Sequence, residues 1–219
     1  MQHLPPQHRS SHRHPIFARV YQRVATACEK AGAAEHRERM LAGLSGRVVE
    51  IGAGNGLNFV HYPDTVTEVV AVEPEPFLRA RAVEHAQRAA VSVTVVDGTA
   101  DAIPLADGAV DAAVASLVLC SVPDQRTALA ELFRVVRPGG ELRFYEHVGA
   151  TDLRWARLQR RAERVWPRFA GGCHLCRDTE QAIAEAGFEI DQCERFLFAP
   201  CWTARFAAPH ILGRALRPT

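Results

Sequence analysis

Five short apolar runs punctuate the middle of the chain: RVVEI (47–51), EVVAV (68–72), VSVTV (91–95), VDAAVA (110–115) and ELRFYE (141–146). Each has strand length and is rich in small or β-branched residues, with little polar alternation. Strands covered by helices on both faces read this way. Longer stretches with helical periodicity alternate with them, predicting a helix after the first run and further helices over about 75–90 and 124–136. Upstream, Ile16, Phe17, Val20, Tyr21, Val24 and Cys28 recur at helical spacing, and a second helix is expected over about 35–44. Downstream, the pattern predicts a basic helix over 153–166, a break at Gly171-Gly172, a short helix over 179–186 and late strands near 188–195 and 202–206. The order describes an α/β fold, an open doubly wound sheet whose ligand crevice lies at the carboxyl ends of its strands.

A chain of 219 residues holds one well-buried core, and 47% hydrophobic with 23% charged residues excludes disordered and fibrous classes. Twenty-six basic residues against 25 acidic ones leave a net charge of +1, which removes the global field that nucleic-acid binding uses. Residues 1–13 read as a disordered polar arm, and its histidines as fortuitous. No run approaches the roughly 18 apolar residues of a membrane span, and no export signal is visible, so a cytoplasmic protein with six reduced cysteines is expected.

The first run ends in Glu50-Ile51-Gly52-Ala53-Gly54-Asn55-Gly56. Glycines here allow a tight turn and close approach of backbone to a ligand. Leu57 stands where a dinucleotide fingerprint has its last glycine, which disfavours NAD. Glu73 closes the second run, where a carboxylate accepts from ribose hydroxyls, and Asp97-Gly98 follows the third, placed to read an adenine. Three strand ends in register make a nucleoside site.

With these residues in view, 46–147 resembles a class I S-adenosylmethionine (AdoMet) dependent methyltransferase: VVEIGAGNG, VEPEP, DGTADAIPLADGAVDAAVASLVLCSV and LFRVVRPGGELRFYEHV follow in the family's order. The resemblance implies a Rossmann-like, mostly parallel seven-stranded sheet with its last strand reversed. It also implies AdoMet as cofactor and S-adenosylhomocysteine as product. Glu50 and Gly52 would sit near the amino-acid end, with Gly54, Gly56, Asn58 and Pro74 around the cradle. Glu73 would lie on the ribose, Asp97, Gly98 and Thr99 around the adenine, and Ser116 and Leu117 under the methionine portion. The single domain then spans 14–219, as a helical lid (14–45), a cofactor-binding core (46–147) and a substrate-side cap with late strands (148–219). GNGLNFVHYP, SLVLCSV, FYEHV, GGCHL and PHILGRA are further similar to the methyltransferase-like small-molecule thiol S-methyltransferases, whose animal members carry a membrane anchor that has no counterpart in this sequence.

Transfer from a sulfonium to an anion cancels charge, and a thiol with a pKa of about 8.5 is already partly thiolate at neutral pH. The absence of an obvious strong base pair therefore favours a small apolar thiol as substrate. N-methylation of a phospholipid head group at a membrane surface and a catalytically silent AdoMet-binding module are the alternatives. His147 is the candidate proton acceptor, the other reading being a structural histidine bonded to a loop; Glu146 either orients it or caps the next helix. Phe17, Tyr21, Tyr62, Cys120 and Cys173 are expected to line the substrate side, or to be core packing. Cys173-His174-Leu175-Cys176 has metal-like spacing, but no second pair accompanies it and no metal is expected. The arginines of the 153–166 helix and Arg168 read as a solvated face held by Trp155, Val165, Trp166 and Phe169, with contact to an anionic membrane as the alternative.

Overall fold

The computed structural model describes residue 22 and residues 24–200 and 202–219. Seven strands form one sheet: β1 (Gly46–Ile51), β2 (Val66–Val72), β3 (Val93–Val96), β4 (Val110–Ser116), β5 (Val136–His147), β6 (Glu189–Leu197) and β7 (Pro209–Leu216). Their order is β3-β2-β1-β4-β5-β7-β6. β1 to β5 pair in parallel, and β7 runs antiparallel to both β5 and β6, so the expected mostly parallel sheet with a reversed last strand is present.

The continuous apolar runs follow from burial on both faces. Val49, Ile51, Ala113, Leu142 and Phe144 enter a core with α3 (Gln125–Val135), while Val48, Val69, Val114 and Tyr145 enter a second core with Met40 and Leu41 of α1 (Ala34–Leu41). The remaining helices are α2 (Pro76–Ala86), α4 (Leu153–Ala162), α5 (Trp166–Phe169) and α6 (Thr179–Glu185). Acidic N-caps start α2, α3, α4 and α6: Glu75, Asp124, Asp152 and Asp178 each accept a backbone N–H of the first turn. Before α1, helical turns over 24–28 pass through a kink at Gly32, whose φ is 116°. Phe17 and Tyr21, like the polar arm and Cys201, lie outside the described residues.

Three expectations are corrected. Between β1 and β2 there is only a single tight turn, Phe59–His61, in place of a helix: Gly52, Gly54 and Gly56 all have positive φ and Pro63 follows at once, leaving no stretch long enough to nucleate one. The last strand is Pro209–Leu216; the aromatic segment expected to form it makes tight helical turns over Trp202–Ala207. The basic helix is broken into α4 and α5, because Pro167 fits only the first turn of a new helix. Of its four expected apolar anchors only Trp166 packs inward, half-buried with its ring 6.1 Å from that of Phe206. Trp155, Val165 and Phe169 are exposed, Phe169 by 81%, and the residue α4 buries is Gln159, which bonds Ala150 N–H (2.7 Å) and the Phe206 carbonyl (2.9 Å). The arginines of this segment face solvent, as expected. No helix among the described residues is long and apolar enough to cross a membrane.

Candidate functional site

The carboxyl ends of β1, β2, β3 and β4 bring the predicted nucleoside-site residues to one edge of the sheet. Gly52 has φ 59°, and a Cβ on it would collide with a methyl of Val118 from the loop after β4. Gly54 N–H donates to Glu73 Oε2 at 2.7 Å, and Glu75 N–H donates to Oε1 at 2.8 Å, so the buried Glu73 braces the glycine turn from the next strand. Burial raises the Glu73 pKa, and the Glu75 and Gly54 N–H groups pull against it.

Glu50 is buried and accepts from Asn58 Nδ2 and Tyr62 Oη, both at 2.8 Å. Burial pushes its pKa up to about 7, against those two bonds and the nearby Arg37. Tyr62, expected at the substrate wall, is thus buried with its hydroxyl committed to Glu50. Arg37, only 7% exposed at its side chain, donates from Nη1 to Asn58 Oδ1 (2.7 Å) and Ser116 Oγ (3.0 Å) and from Nε to Glu29 (2.8 Å). It ties α1 to the ends of β1 and β4. Its signal in the sequence is its place four residues from both Ala33 and Leu41, on the buried stripe of the helix. At the β3 end, the Asp97 side chain is 70% exposed and pairs with Arg79 (3.1 Å), which also donates to the carbonyls of Glu73 and Pro74. Gly98 packs against Val72 and Pro104, and Thr99 bridges to Ala102.

The loop after β4 is strained and pinned. Leu117 is a non-glycine residue at φ 55°, a conformation that persists only when its surroundings impose it. Glu146, fully buried on β5, imposes it by accepting the N–H groups of Val118 (2.9 Å), Leu119 (2.8 Å) and Cys120 (3.1 Å). Its role is therefore neither of the two expected for it; it caps the β4 loop. The segment around Cys173 is fastened to the same loop: Arg177 donates to the carbonyls of Leu119 and Val122, and His174 N–H to that of Cys120.

This stitching brings Cys120, His147 and Cys173 together, three residues with no proximity in sequence. His147 Nδ1 lies 3.5 Å from Cys173 Sγ and 3.6 Å from Cys120 Sγ. Cys120 draws the Cys173 pKa well down, against burial and with help from His147, while contact with Cys173 and burial push Cys120 up. Burial alone would lower the His147 pKa, but Cys173 and Glu146 outweigh it and the ring stands above its ordinary value. His210, missed in the sequence, packs at a tilt against His147 with ring centroids 4.5 Å apart; burial holds it neutral, with its pKa near 3. The Cys173-His174-Leu175-Cys176 run does not converge: His174 pairs with Glu163 (2.6 Å), Leu175 is buried and Cys176 is exposed. Cys120, Cys173, Cys176 and Cys193 all carry free thiols. Just past His147, at Gly149, begins a cavity of about 500 Å³ walled largely by Trp155, Phe196, Leu197 and Pro209, with Arg195 and Arg205 at its side.

The family profile described as a methyltransferase domain matches residues 49–144. The chain is 38% identical over 184 residues to human thiol S-methyltransferase TMT1B, covering 81% of this chain and 74% of that protein. It is 34% identical over 183 residues to human thiol S-methyltransferase TMT1A, covering 80% and 73%. A crystal structure of a SAM-dependent methyltransferase from Thermotoga maritima superposes with a TM-score of 0.68 at 23% identity, over 92% of this chain and 96% of that one, which shows the shared fold. With the glycine turn, the strand-end acids and the reversed last strand already in place, these likenesses establish that the chain belongs to the AdoMet-dependent methyltransferases, in the family that includes TMT1A and TMT1B.

Proposed function

We propose that this methyltransferase acts on the sulfur of a small, largely apolar thiol. One observation carries the reading: the imidazole at the carboxyl end of β5 is already in contact with two sulfur atoms, at 3.5 and 3.6 Å, so the ring stands in surroundings suited to sulfur. The thiol S-methyltransferase activity named for the relatives TMT1A and TMT1B supports it.

The residues at the sheet edge suit AdoMet. Each oxygen of Glu73 spends one lone pair on a backbone N–H and keeps another for a ribose hydroxyl. Glu50 offers a carboxylate toward the cationic amino-acid end, beside Gly52, Gly54, Gly56 and Asn58, while Pro74, Asp97, Gly98 and Thr99 flank the adenine side and Ser116 and Leu117 the methionine side. Bound AdoMet supplies a methyl group activated on a sulfonium. The protein's own task is alignment in a dry pocket, with His147 receiving the proton of the acceptor thiol and Cys120 and Cys173 fixing the ring.

A panel of small thiols with AdoMet, followed for methyl thioether and S-adenosylhomocysteine, is expected to give turnover. Turnover on phosphatidylethanolamine vesicles with none on any thiol would replace this reading by the lipid one. His147→Asn is expected to lower kcat about a hundredfold with AdoMet affinity unchanged, and full activity would remove the proton-acceptor role. Because Asp97 is exposed, Asp97→Ala leaves the fold intact and is expected to weaken AdoMet binding about tenfold, as loss of a hydrogen bond to a charged group does. Unchanged affinity by calorimetry would refute the adenine assignment.

A further inference from the structure

Cys120, His147 and Cys173 form a compact cluster of sulfur and nitrogen, in which Cys120 Sγ also lies 3.5 Å from Ser121 Oγ. Both sulfurs sit at nearly equal distance from Nδ1, and the three ligand atoms lie within 4.8 Å of one another, close enough for one ion to bond all three. Tetrahedral zinc, with bonds of about 2.3 Å to sulfur and about 2.0 Å to nitrogen, sets its sulfur and nitrogen ligands about 3.5 Å apart. The observed separations are 3.5 and 3.6 Å.

We infer that Cys120, His147 and Cys173 bind one zinc ion whose fourth position is open to the sulfur of the acceptor thiol. Among the described residues no fourth histidine, cysteine or carboxylate joins the three, the pattern of a catalytic rather than a structural zinc site. The two cysteines are buried while His147 is only partly so, which leaves the cluster accessible from the His147 side. The supports are rigid: Glu146 holds the Cys120 backbone, and Cys173 N–H bonds the Ala170 carbonyl at 3.0 Å.

The role of the fourth position rests on the thiol reading above and deepens it. The acceptor thiol binds as thiolate, its proton passing to solvent water on coordination, and His147 then serves as ligand in place of proton acceptor. The zinc-held sulfur forms the new S–CH₃ bond as the sulfonium C–S bond breaks, and the neutral thioether leaves the metal. No oxidant or reductant is needed.

The test uses the full chain, stripped of metal and titrated with zinc and with cobalt. One zinc per chain by mass spectrometry is expected, with cobalt giving a thiolate-to-metal charge-transfer band that sites built from histidines alone lack. Cys173→Ser and Cys120→Ser should each weaken zinc by more than about a hundredfold, beyond what loss of an outer partner costs, whereas Cys176→Ser keeps it. As a readout independent of folding in the variants, zinc should protect Cys120 and Cys173, but not Cys176, from alkylation in the unmutated protein. Absence of the band, or unchanged zinc affinity in Cys173→Ser with no protection, overturns the site. Thiol turnover at full rate by zinc-free enzyme overturns the fourth-position role and leaves the thiol reading standing. Zinc bound as expected without turnover of any thiol keeps the site and removes that reading.

Discussion

Glu146→Ala is expected to lower the free energy of unfolding by about 4 kcal/mol and to abolish methyl transfer, because it orphans three backbone N–H groups at once. Those groups belong to the loop that follows the strained Leu117, and the carboxylate is what holds 118–120 in place against the tendency of Leu117 to relax. In a domain of this size the loss corresponds to a fall in Tm of about 8–16 °C. Glu146→Gln retains one acceptor oxygen but turns an amide NH₂ toward the remaining donor, and about half the loss is expected. Urea unfolding of the three proteins measures this order. A Glu146→Ala protein that unfolds with the parent would show that the loop is fixed by something other than the carboxylate.

Glu50 should make the cofactor-free protein less stable as the pH rises. Burial holds its pKa at about 7, against 4.5 as the ordinary value, so the folded state keeps a proton that the unfolded state has already lost. Between pH 4.5 and about 7, unfolding therefore releases that proton and stability falls with rising pH, by about 3 kcal/mol in all. Glu73 and Glu146 are raised in the same sense, so the contribution of Glu50 is read from the difference between parent and Glu50→Gln across pH 5 to 8. The gap between the two should move in favour of the Gln protein as pH increases; parallel curves would contradict it. A cation bound at Glu50 favours the carboxylate, so AdoMet binding near pH 6 should expel close to one proton, measured by calorimetry in buffers of different ionisation heat. Glu50→Gln should expel none, and should bind AdoMet more weakly.

Much of the cofactor side was legible because it is local. Strand, glycine turn and acid follow one another within a few residues at β1, β2 and β3, and runs buried on both faces announce themselves by composition. β7 was misplaced because PHILGRAL carries a glycine in mid-strand and no alternation. It is a strand only because β5 and β6 lie on either side of it, and Gly213 is required there since a Cβ would strike the Gln192 carbonyl. The arginines, which look in sequence like surface charge, do internal work as well: Arg143 caps the carbonyls of Met40 and Ala42 at the end of α1, and Arg217 those of Phe133 and Arg134 at the end of α3. Nothing in the spacing of these residues marks which helix end each will meet.

The sequence by itself determined the sheet apart from β7, its order of motifs and the gathering of the glycine turn and strand-end acids at one edge, since each depends on periodicity or on residues adjacent along the chain. The family resemblance placed Cys120, His147 and Cys173 together on the substrate side, and only the tertiary structure decided that the two sulfurs meet the His147 ring. They come from the loop after β4, the end of β5 and the segment following α5, and chain neighbours carry no information about which side chains meet once Arg177 and Glu146 have folded those segments together.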